Sequence, residues 1–151
     1  MLLTPANDVT NLKEKIEKGD VETVGKLVSD SSKVMAYLAD RAVREFPNIK
    51  KVIVMERTPR VDNLEKASTI ANKILEEEIK RIGNHKVVFK KHNIATQGLT
   101  KDQVFGVKGG RNDGVRLNVP NGEESYRKIV VNILEECGIS RRKLGNQRWG
   151  Q

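Results

Sequence analysis

The sequence predicts an α/β fold with about three parallel strands and three main helices arranged in three layers. Three observations support this class. Long segments with apolar residues at helical spacing alternate with short apolar runs. The short runs are continuous, as expected for strands that are covered on both faces. The alternation of helix and strand requires crossover connections, and these place consecutive strands parallel to one another.

The first half of the chain contains an opening strand, a long helix and a second strand. Strand character in LLT ends at the turn PAND, and the polar residues 10–19 predict a loop or one short helical turn. A helical stripe then begins near Asp20 and stops at Pro47, because proline removes a backbone donor. Its members are Val24, Leu27, Val28, Ser31, Met35, Leu38, Ala42, Val43 and Phe46. The run VIVM at 52–55 follows and predicts a buried strand.

The second half adds two helices and one strand. The helix after Pro59 is expected to end at Gly83, a natural helix terminator, and VVF at 87–89 predicts the third strand. Residues 91–112 show no sustained period, and a loop of this length is typical of a functional segment. The last helix runs from about Gly122 to Cys137. We therefore expect one domain over residues 1–138 and a basic, disordered tail over residues 139–151.

The positive charge of the chain indicates acidic partners. The net charge is +8, which places nucleic acid first among them. Acids and bases interleave in EKIEKGD and LEEEIKR, as they do on solvated helix faces. The tail differs because it has basic residues and no acid, and we expect its bases to contact nucleic acid: Arg141, Arg142, Lys143 and Arg148. Lysines also flank the long loop: Lys90, Lys91, Lys101 and Lys108. The alternative is a lysine-rich solvated surface without such a partner.

The single cysteine bears on the cellular compartment. With Cys137 alone no internal disulfide forms, which indicates a reducing, intracellular location, cytoplasmic or nuclear. Its position on the stripe of the last helix predicts a core thiol rather than a nucleophile. No apolar run approaches the roughly 18 residues that cross a bilayer, so no membrane partner is expected. We also expect no cofactor and no metal.

Two loops lie where open parallel sheets bind ligands, at the carboxyl ends of the strands. The first is Pro5-Ala6-Asn7-Asp8 after the opening strand, and the second is the turn from Asp113 to Arg116 before the last helix. The side-chain amide of an asparagine such as Asn7 is suited to donate a hydrogen bond to a developing oxyanion. The alternative is an ordinary turn cap, which asparagine and aspartate favour.

Three segments in this order resemble the C-terminal part of SGNH (GDSL-type) hydrolases: LLTPANDV, KKVIVMERTPR and DGVRLN…G…SYRKIVVNIL. More narrowly, they resemble the SGNH-like domains of invertebrate retroelement open reading frames. The resemblance covers roughly residues 1–136. It implies a partial flavodoxin-like sheet that corresponds to strands 3–5 of the family. In that family a serine nucleophile follows the first strand and a glycine follows the second. An oxyanion asparagine, in Gly-x-Asn-Asp, follows the third, and an Asp-x-x-His pair precedes the last helix.

Carried over residue by residue, the resemblance identifies a degenerate catalytic site. Asn7 matches the oxyanion asparagine, although Pro5 stands where the family usually has glycine. Asp113 matches the aspartate that orients the histidine, and Arg116 occupies the histidine position. The serine and glycine blocks have no counterpart in this chain. Because arginine stays protonated at neutral pH, it does not activate a serine. Asn7 and Asp113 are then vestigial.

Other residues are candidates to replace the missing nucleophile and base. His92 directly follows the last strand and is the best substitute base, the alternative being an ordinary loop histidine. His85 precedes that strand and belongs to the opposite edge of the sheet. Four serines lie on predicted helices, away from the ligand-binding edge: Ser29, Ser31, Ser32 and Ser68. The sequence therefore predicts no hydrolysis by this chain alone.

Three functions remain open at this point. The first is a non-catalytic SGNH/GDSL hydrolase-like module, a retroelement remnant that contacts nucleic acid. The second is the C-terminal half of an ester hydrolase whose serine-bearing N-terminal half is missing from this chain; its activity would be that of a serine esterase or acyl hydrolase. The third is a structural module that forms a homo-oligomer or binds a partner through an exposed sheet edge, since unpaired strand edges favour such pairing.

Overall fold

A computed structural model of the protein describes residues 1–3, 13–57, 64–92, 103 and 121–139. The elements are β1 (Leu2–Leu3), α1 (Lys13–Glu17), α2 (Val21–Glu45), β2 (Val52–Met55), α3 (Glu65–Ile82), β3 (Val87–Lys90) and α4 (Asn121–Glu136). The predicted α/β class is confirmed. The polar segment before Asp20 contains the short helix α1. The sequence predicted either a loop or one short helical turn there, and the structure has the helical turn.

The three strands form one parallel sheet in the order β1-β2-β3. Leu2 is in register with Ile53, and Met55 is in register with Lys90. The central strand β2 is buried along its whole length. This sheet and its helices are consistent with a partial flavodoxin-like layered fold, because consecutive strands are neighbours and are joined by helices.

Helices cover β2 on both of its faces. Successive side chains of a strand point to opposite faces, and Val52 and Val54 belong to one core cluster with α2 and α3, which includes Leu75. Ile53 and Met55 belong to another cluster with Ile129 of α4. The three-layer arrangement therefore explains why the apolar run in β2 is continuous rather than alternating.

Small residues form the buried face of α2. The helix begins after Asp20, whose carboxylate accepts a hydrogen bond from the Thr23 amide at 3.1 Å. Its buried residues are Val28, Ser32, Ala36, Ala39, Ala42 and Val43. The predicted stripe is wrong at Leu27, Leu38 and Phe46, which are 37%, 51% and 58% exposed. Alanines let α2 approach α3 and the sheet closely, and this rotates the larger residues away from the core.

Glycines end two helices at positive φ. Gly83 follows α3 with φ 69°, and its amide donates to the Ile79 carbonyl at 3.2 Å. Gly138 has φ 81° after α4. The core thiol predicted for Cys137 is wrong, because this residue lies in the turn beyond the end of α4 and is exposed. Its amide closes that turn by donating to the Ile133 carbonyl at 3.1 Å.

Strand β1 is short and lies at one side of the sheet. Leu2 is 47% exposed, and the N-terminal ammonium donates to the Lys51 carbonyl at 2.8 Å. Within the described ranges β1 pairs with β2 alone. None of the helices in this part of the chain has the length and apolarity that a membrane crossing requires.

Replacement of Leu75 with alanine is expected to destabilise the fold strongly. Leu75 is fully buried between α3 and the sheet, and the cavity left by a Leu→Ala change costs about 2–5 kcal/mol of unfolding free energy. Urea denaturation followed by circular dichroism measures the loss. The control is Ile70→Ala on the same helix, where the side chain is 46% exposed and the change is expected to stay within about 0.5 kcal/mol. Equal effects of both variants would contradict the described packing of α3.

Candidate functional site at the carboxyl ends of the strands

The residues predicted to form the vestigial catalytic site lie outside the described residues. These are Asn7, Asp113 and Arg116. The predicted nucleic-acid contacts of the tail also lie outside: Arg141, Arg142, Lys143 and Arg148. Their roles stay predictions. The structure does describe the neighbouring residues at the carboxyl ends of β2 and β3.

The ends of β2 and β3 place four polar residues at one edge of the sheet. Glu56 and Arg57 follow β2, and Lys91 and His92 follow β3. Because the strands are parallel, with Met55 in register with Lys90, both pairs leave the sheet at the same edge. Open α/β sheets bind their ligands at this edge. The residues there are therefore the described part of the candidate site.

Glu56 and His92 hold the two strand ends together. The Glu56 amide donates to the Lys90 carbonyl at 2.9 Å and continues the strand ladder. The His92 amide donates to the Glu56 carboxylate at 2.7 Å. Nε2 of His92 lies 2.9 Å from the Glu56 carbonyl oxygen, and since a carbonyl only accepts, Nε2 carries the proton. His92 is thus a buried histidine that is oriented by backbone and carboxylate, not an exposed loop residue.

The side chain of Asn72 makes hydrogen bonds to both backbone groups of Arg57, as a neighbouring strand would. The Arg57 amide donates to Oδ1 of Asn72 at 2.7 Å, and Nδ2 of Asn72 donates to the Arg57 carbonyl at 3.2 Å. Both backbone groups of Arg57 are therefore satisfied beyond the end of β2. This pairing joins α3 to the strand end.

The guanidinium group of Arg57 is buried between helices α2 and α3. Arg57 is 1% exposed, and its Nη2 donates to Oγ of Ser32 at 3.2 Å. Ser32 in turn donates to the Ala71 carbonyl at 3.1 Å. A buried charge is stable only when hydrogen-bonded, and this chain of contacts links both helices to β2. The arrangement fixes the edge of the sheet and leaves Arg57 inaccessible to a ligand.

The four serines considered above, Ser29, Ser31, Ser32 and Ser68, lie on helices, as predicted. Ser31 donates to the Val28 carbonyl at 3.1 Å, and Ser32 is fully buried with its proton on the Ala71 carbonyl. Ser68 is 4% exposed on α3. His85 is exposed at the opposite edge, before β3. Ser32 and Ser68 are therefore part of the packing of α2 and α3.

Two lysines bind the carboxylate of Glu136 at the end of α4. Lys51 Nζ lies 3.2 Å from Oε1, and Lys90 Nζ lies 2.7 Å from Oε2. Lys51 also donates to the backbone carbonyl of Glu136 at 3.3 Å. Hydrogen bonds from Lys90 and Lys51 hold the pKa of Glu136 below its ordinary value. The interaction ties α4 to the sheet across its second face.

Glu76 makes a similar contact on the first face. Its carboxylate lies 3.0 Å from Lys80 on α3 and 3.0 Å from Lys91 at the end of β3. Hydrogen bonds from Lys80 and then Lys91 lower the pKa of this carboxyl group. Each of the two carboxylates thus faces two ammonium groups, and the carboxylates of Glu56 and Glu135 lie near the same strand end.

A cleft of about 240 Å³ lies between the sheet and α4. Its apolar side consists of Met55, Ile129 and Ile133. Its polar lining consists of Lys90, Lys91, Asn132, Glu135 and Glu136. Pockets that enclose small-molecule ligands usually measure about 300–1,000 Å³. The smaller volume does not favour enclosure of a small substrate, and the two lysines face two glutamates in the same lining. Within the described ranges there is no cluster of three or more metal-ligating side chains.

Sequence reasoning did not identify the residues that organise this edge. No sequence motif marks Arg57, Asn72 or Glu136. The sequence indicates His92 only as a substitute base. The sequence feature that could have identified Glu56 and Arg57 is their position directly after a buried strand. The pairing of Arg57 with Asn72 joins residues 15 positions apart, and no motif in the sequence connects them.

Comparison with known proteins yields no match. No protein-family model matches the sequence, and no curated protein or solved structure is significantly similar to it. Function is therefore inferred from the residues and from the geometry described above.

Glu136→Gln is expected to destabilise the protein at neutral pH and to have less effect in acid. Because the pKa is lowered in the folded state, ionised Glu136 stabilises the fold above the ordinary value of 4.5. This contribution is lost as the pH falls through the lower, folded-state pKa. The ion pairs are partly exposed, so the expected loss at pH 7 is about 0.5–1 kcal/mol. Urea denaturation at pH 7 and at pH 3 measures it.

Glu77→Gln is the matched control for this experiment. Glu77 is an exposed carboxylate on α3, and its replacement changes the net charge by the same amount. We expect its effect on unfolding free energy to be near zero at both pH values. A loss for Glu136→Gln that does not depend on pH would show that the side chain acts by packing and not by its charge.

Proposed function

We propose that the protein is a non-catalytic SGNH hydrolase-like module that contacts nucleic acid and derives from a retroelement open reading frame. It would act inside the cell, in the cytoplasm or nucleus, where its single thiol stays reduced. The observation that carries the proposal is the distribution of positive charge. Helix charges largely neutralise one another, whereas residues 86–101 and the tail contain basic residues and no acid.

Ion pairs within single helices neutralise much of the helical surface. On α2, Arg44 lies 2.8 Å from Asp40. On α4, Arg127 lies 2.7 Å from Glu123, and Lys128 lies 3.2 Å from Glu124. Such pairs stabilise helices by a few tenths of a kcal/mol each, and they leave little charge for a polyanion. The net charge of +8 must therefore be concentrated elsewhere.

Two stretches of the sequence are basic and free of acid, namely residues 86–101, which include β3, and the tail. Lys90 and Lys91 share their acidic partners with Lys51 and Lys80. The sequence then adds Lys101 and Lys108, followed by the four bases of the acid-free tail. Lysine and arginine neutralise phosphates without regard to sequence. Trp149, next to Arg148, adds an aromatic ring of the kind on which bases stack.

The absence of catalysis is proposed from the identity of the residues at the family's catalytic positions. Arg116 stands where the family has its histidine, and arginine remains protonated at neutral pH. His92, the best substitute base, has Nε2 directed to the Glu56 carbonyl. Ser31 and Ser32 direct their protons to helix carbonyls. This arrangement favours a structural role for these side chains.

The alternative is the C-terminal half of an ester hydrolase. It is favoured by β1, whose described pairing is on one side only and which would accept a further parallel strand on the other. In that case Asn7 and Asp113 would be working residues once the serine-bearing half is present. Arg116 would still occupy the position of the catalytic histidine, which is evidence against this alternative.

Binding to single-stranded RNA is expected to depend strongly on salt and on the tail. Fluorescence anisotropy with a labelled 20-nucleotide RNA, from about 50 to 300 mM salt, gives the slope of log affinity against log salt. Charge reversal of Arg141, Arg142 and Lys143 to glutamate is expected to weaken binding. It should also reduce the magnitude of the slope by about 2, since each phosphate contact contributes about 0.7.

The matched control reverses three bases that are already paired on helices: Lys18, Arg81 and Arg127. It changes the net charge by the same amount, and we expect it to weaken binding only a few-fold. Equal losses in both variants would show that net charge alone drives the interaction. No binding at 50 mM salt would overturn the proposed contact with nucleic acid.

Ester hydrolysis by the chain is expected to be absent. p-Nitrophenyl acetate, followed at 405 nm, should give no more than stoichiometric acetylation of exposed amines and of the Cys137 thiol. A serine esterase in the same buffer is the positive control. Multiple turnovers that are lost in both His92→Gln and Asn7→Ala would contradict the non-catalytic proposal and favour the hydrolase alternative.

A further inference from the structure

The outward face of α2 carries a stripe of six exposed residues that are three or four positions apart. They are Lys26, Asp30, Val34, Tyr37, Arg41 and Glu45. Residues at this spacing lie on one side of a helix. The opposite side of α2 is its buried face, which packs against α3 and the sheet. The stripe therefore faces away from the core.

The centre of this stripe is apolar and exposed. Val34 is 55% exposed and Tyr37 is 54% exposed, and Leu38 beside them is 51% exposed. Single exposed apolar residues are common on protein surfaces. Here three of them are contiguous on the outer side of one helix, which is typical of a surface that another helix covers.

The charges along the stripe are complementary to those of a second copy of the stripe that runs in the opposite direction. Read from Lys26 to Glu45, the order is basic, acidic, apolar, apolar, basic, acidic. A second α2 that runs antiparallel places Lys26 opposite Glu45 and Asp30 opposite Arg41. It also places Val34 opposite Tyr37. A parallel second helix would instead place like charges against each other, so the pattern selects one orientation.

We propose that α2 is the interface of a homodimer in which two copies of this chain pack their stripes antiparallel about a two-fold axis. Such an interface is isologous, because each residue pair occurs twice. From residue 26 to residue 45 the helix extends about 28 Å, at a rise of about 1.5 Å per residue. The interface is separate from the sheet edge at β1, because the stripe faces away from the sheet.

Contacts within the chain prepare the stripe for this role. Nε of Arg41 donates to Glu45 at 2.6 Å, and its guanidinium lies 5.7 Å from the centre of the Tyr37 ring. Arg41 is therefore already held over the apolar centre. In the part of the chain that the structure describes, Lys26 and Asp30 make no ion pair, so both remain available for the second copy.

The first test is the mass of the full chain in solution. Sedimentation equilibrium at low salt is expected to give a reversible monomer–dimer equilibrium. Asp30→Arg places two arginines against each other in the homodimer, and Arg41→Asp places two aspartates against each other. Each variant alone is expected to raise the dimer dissociation constant on the order of tenfold. Glu77→Arg and Arg127→Asp, at exposed positions on α3 and α4, are the matched controls and should dimerise normally.

Mixing the two variants gives the decisive result. In the mixed pair the arginine introduced at position 30 of one copy faces the aspartate introduced at position 41 of the other. The native Arg41 of the first copy then faces the native Asp30 of the second, so a heterodimer should form although neither variant dimerises well alone. Circular dichroism melting checks that both variants fold. A monomeric wild-type chain at about 1 mM would overturn the proposal. A dimer that neither variant weakens, or a mixture that does not associate, would also overturn it.

Discussion

The structure depends on the burial of β2 on both of its faces. Val52 and Val54 require one helical layer, and Ile53 and Met55 require another. Neither layer is stable without the strand between them, because each helix has a single apolar face to bury. The parallel neighbours β1 and β3 supply the hydrogen bonds that a strand removed from water needs. The three-layer arrangement therefore satisfies the backbone hydrogen bonds of β2 and buries the apolar side chains of its four residues.

A strand buried in this way creates a difficulty where it ends, since its last backbone groups are still far from water. The chain resolves it with side chains. Asn72 pairs with the backbone of Arg57, and His92 binds the backbone and the carboxylate of Glu56. The polar residues at this edge thus complete the sheet, and they occupy the place that an enzyme of the same layered form would use for chemistry.

The fold class could be predicted from the sequence alone, because the spacing of apolar residues indicates which of them are buried. The continuous run VIVM at 52–55 indicated cover on two sides, and Gly83 marked the end of a helix. The orientation of α2 could not be read in the same way, since alanines and a serine, rather than Leu38 and Phe46, face the core. The pairing of Asn72 with Arg57 depends on how α3 is placed over the strand, which no local pattern encodes. For Asn7, Asp113 and Arg116, which lie outside the described residues, the sequence remains the basis of their assignment.

The two helical layers differ in how firmly they are attached. On one face α2 and α3 pack extensively against each other and against the sheet. On the other, among the described residues, α4 contributes Ile129 as its one buried apolar residue. Ile133 is partly buried, and Glu136 is held by two lysines. Opening free energies vary within a protein with the local density of buried contacts. The amide hydrogens of α4 should consequently exchange with solvent long before those of the α2–β2–α3 unit, as a separate cooperative segment of the native ensemble.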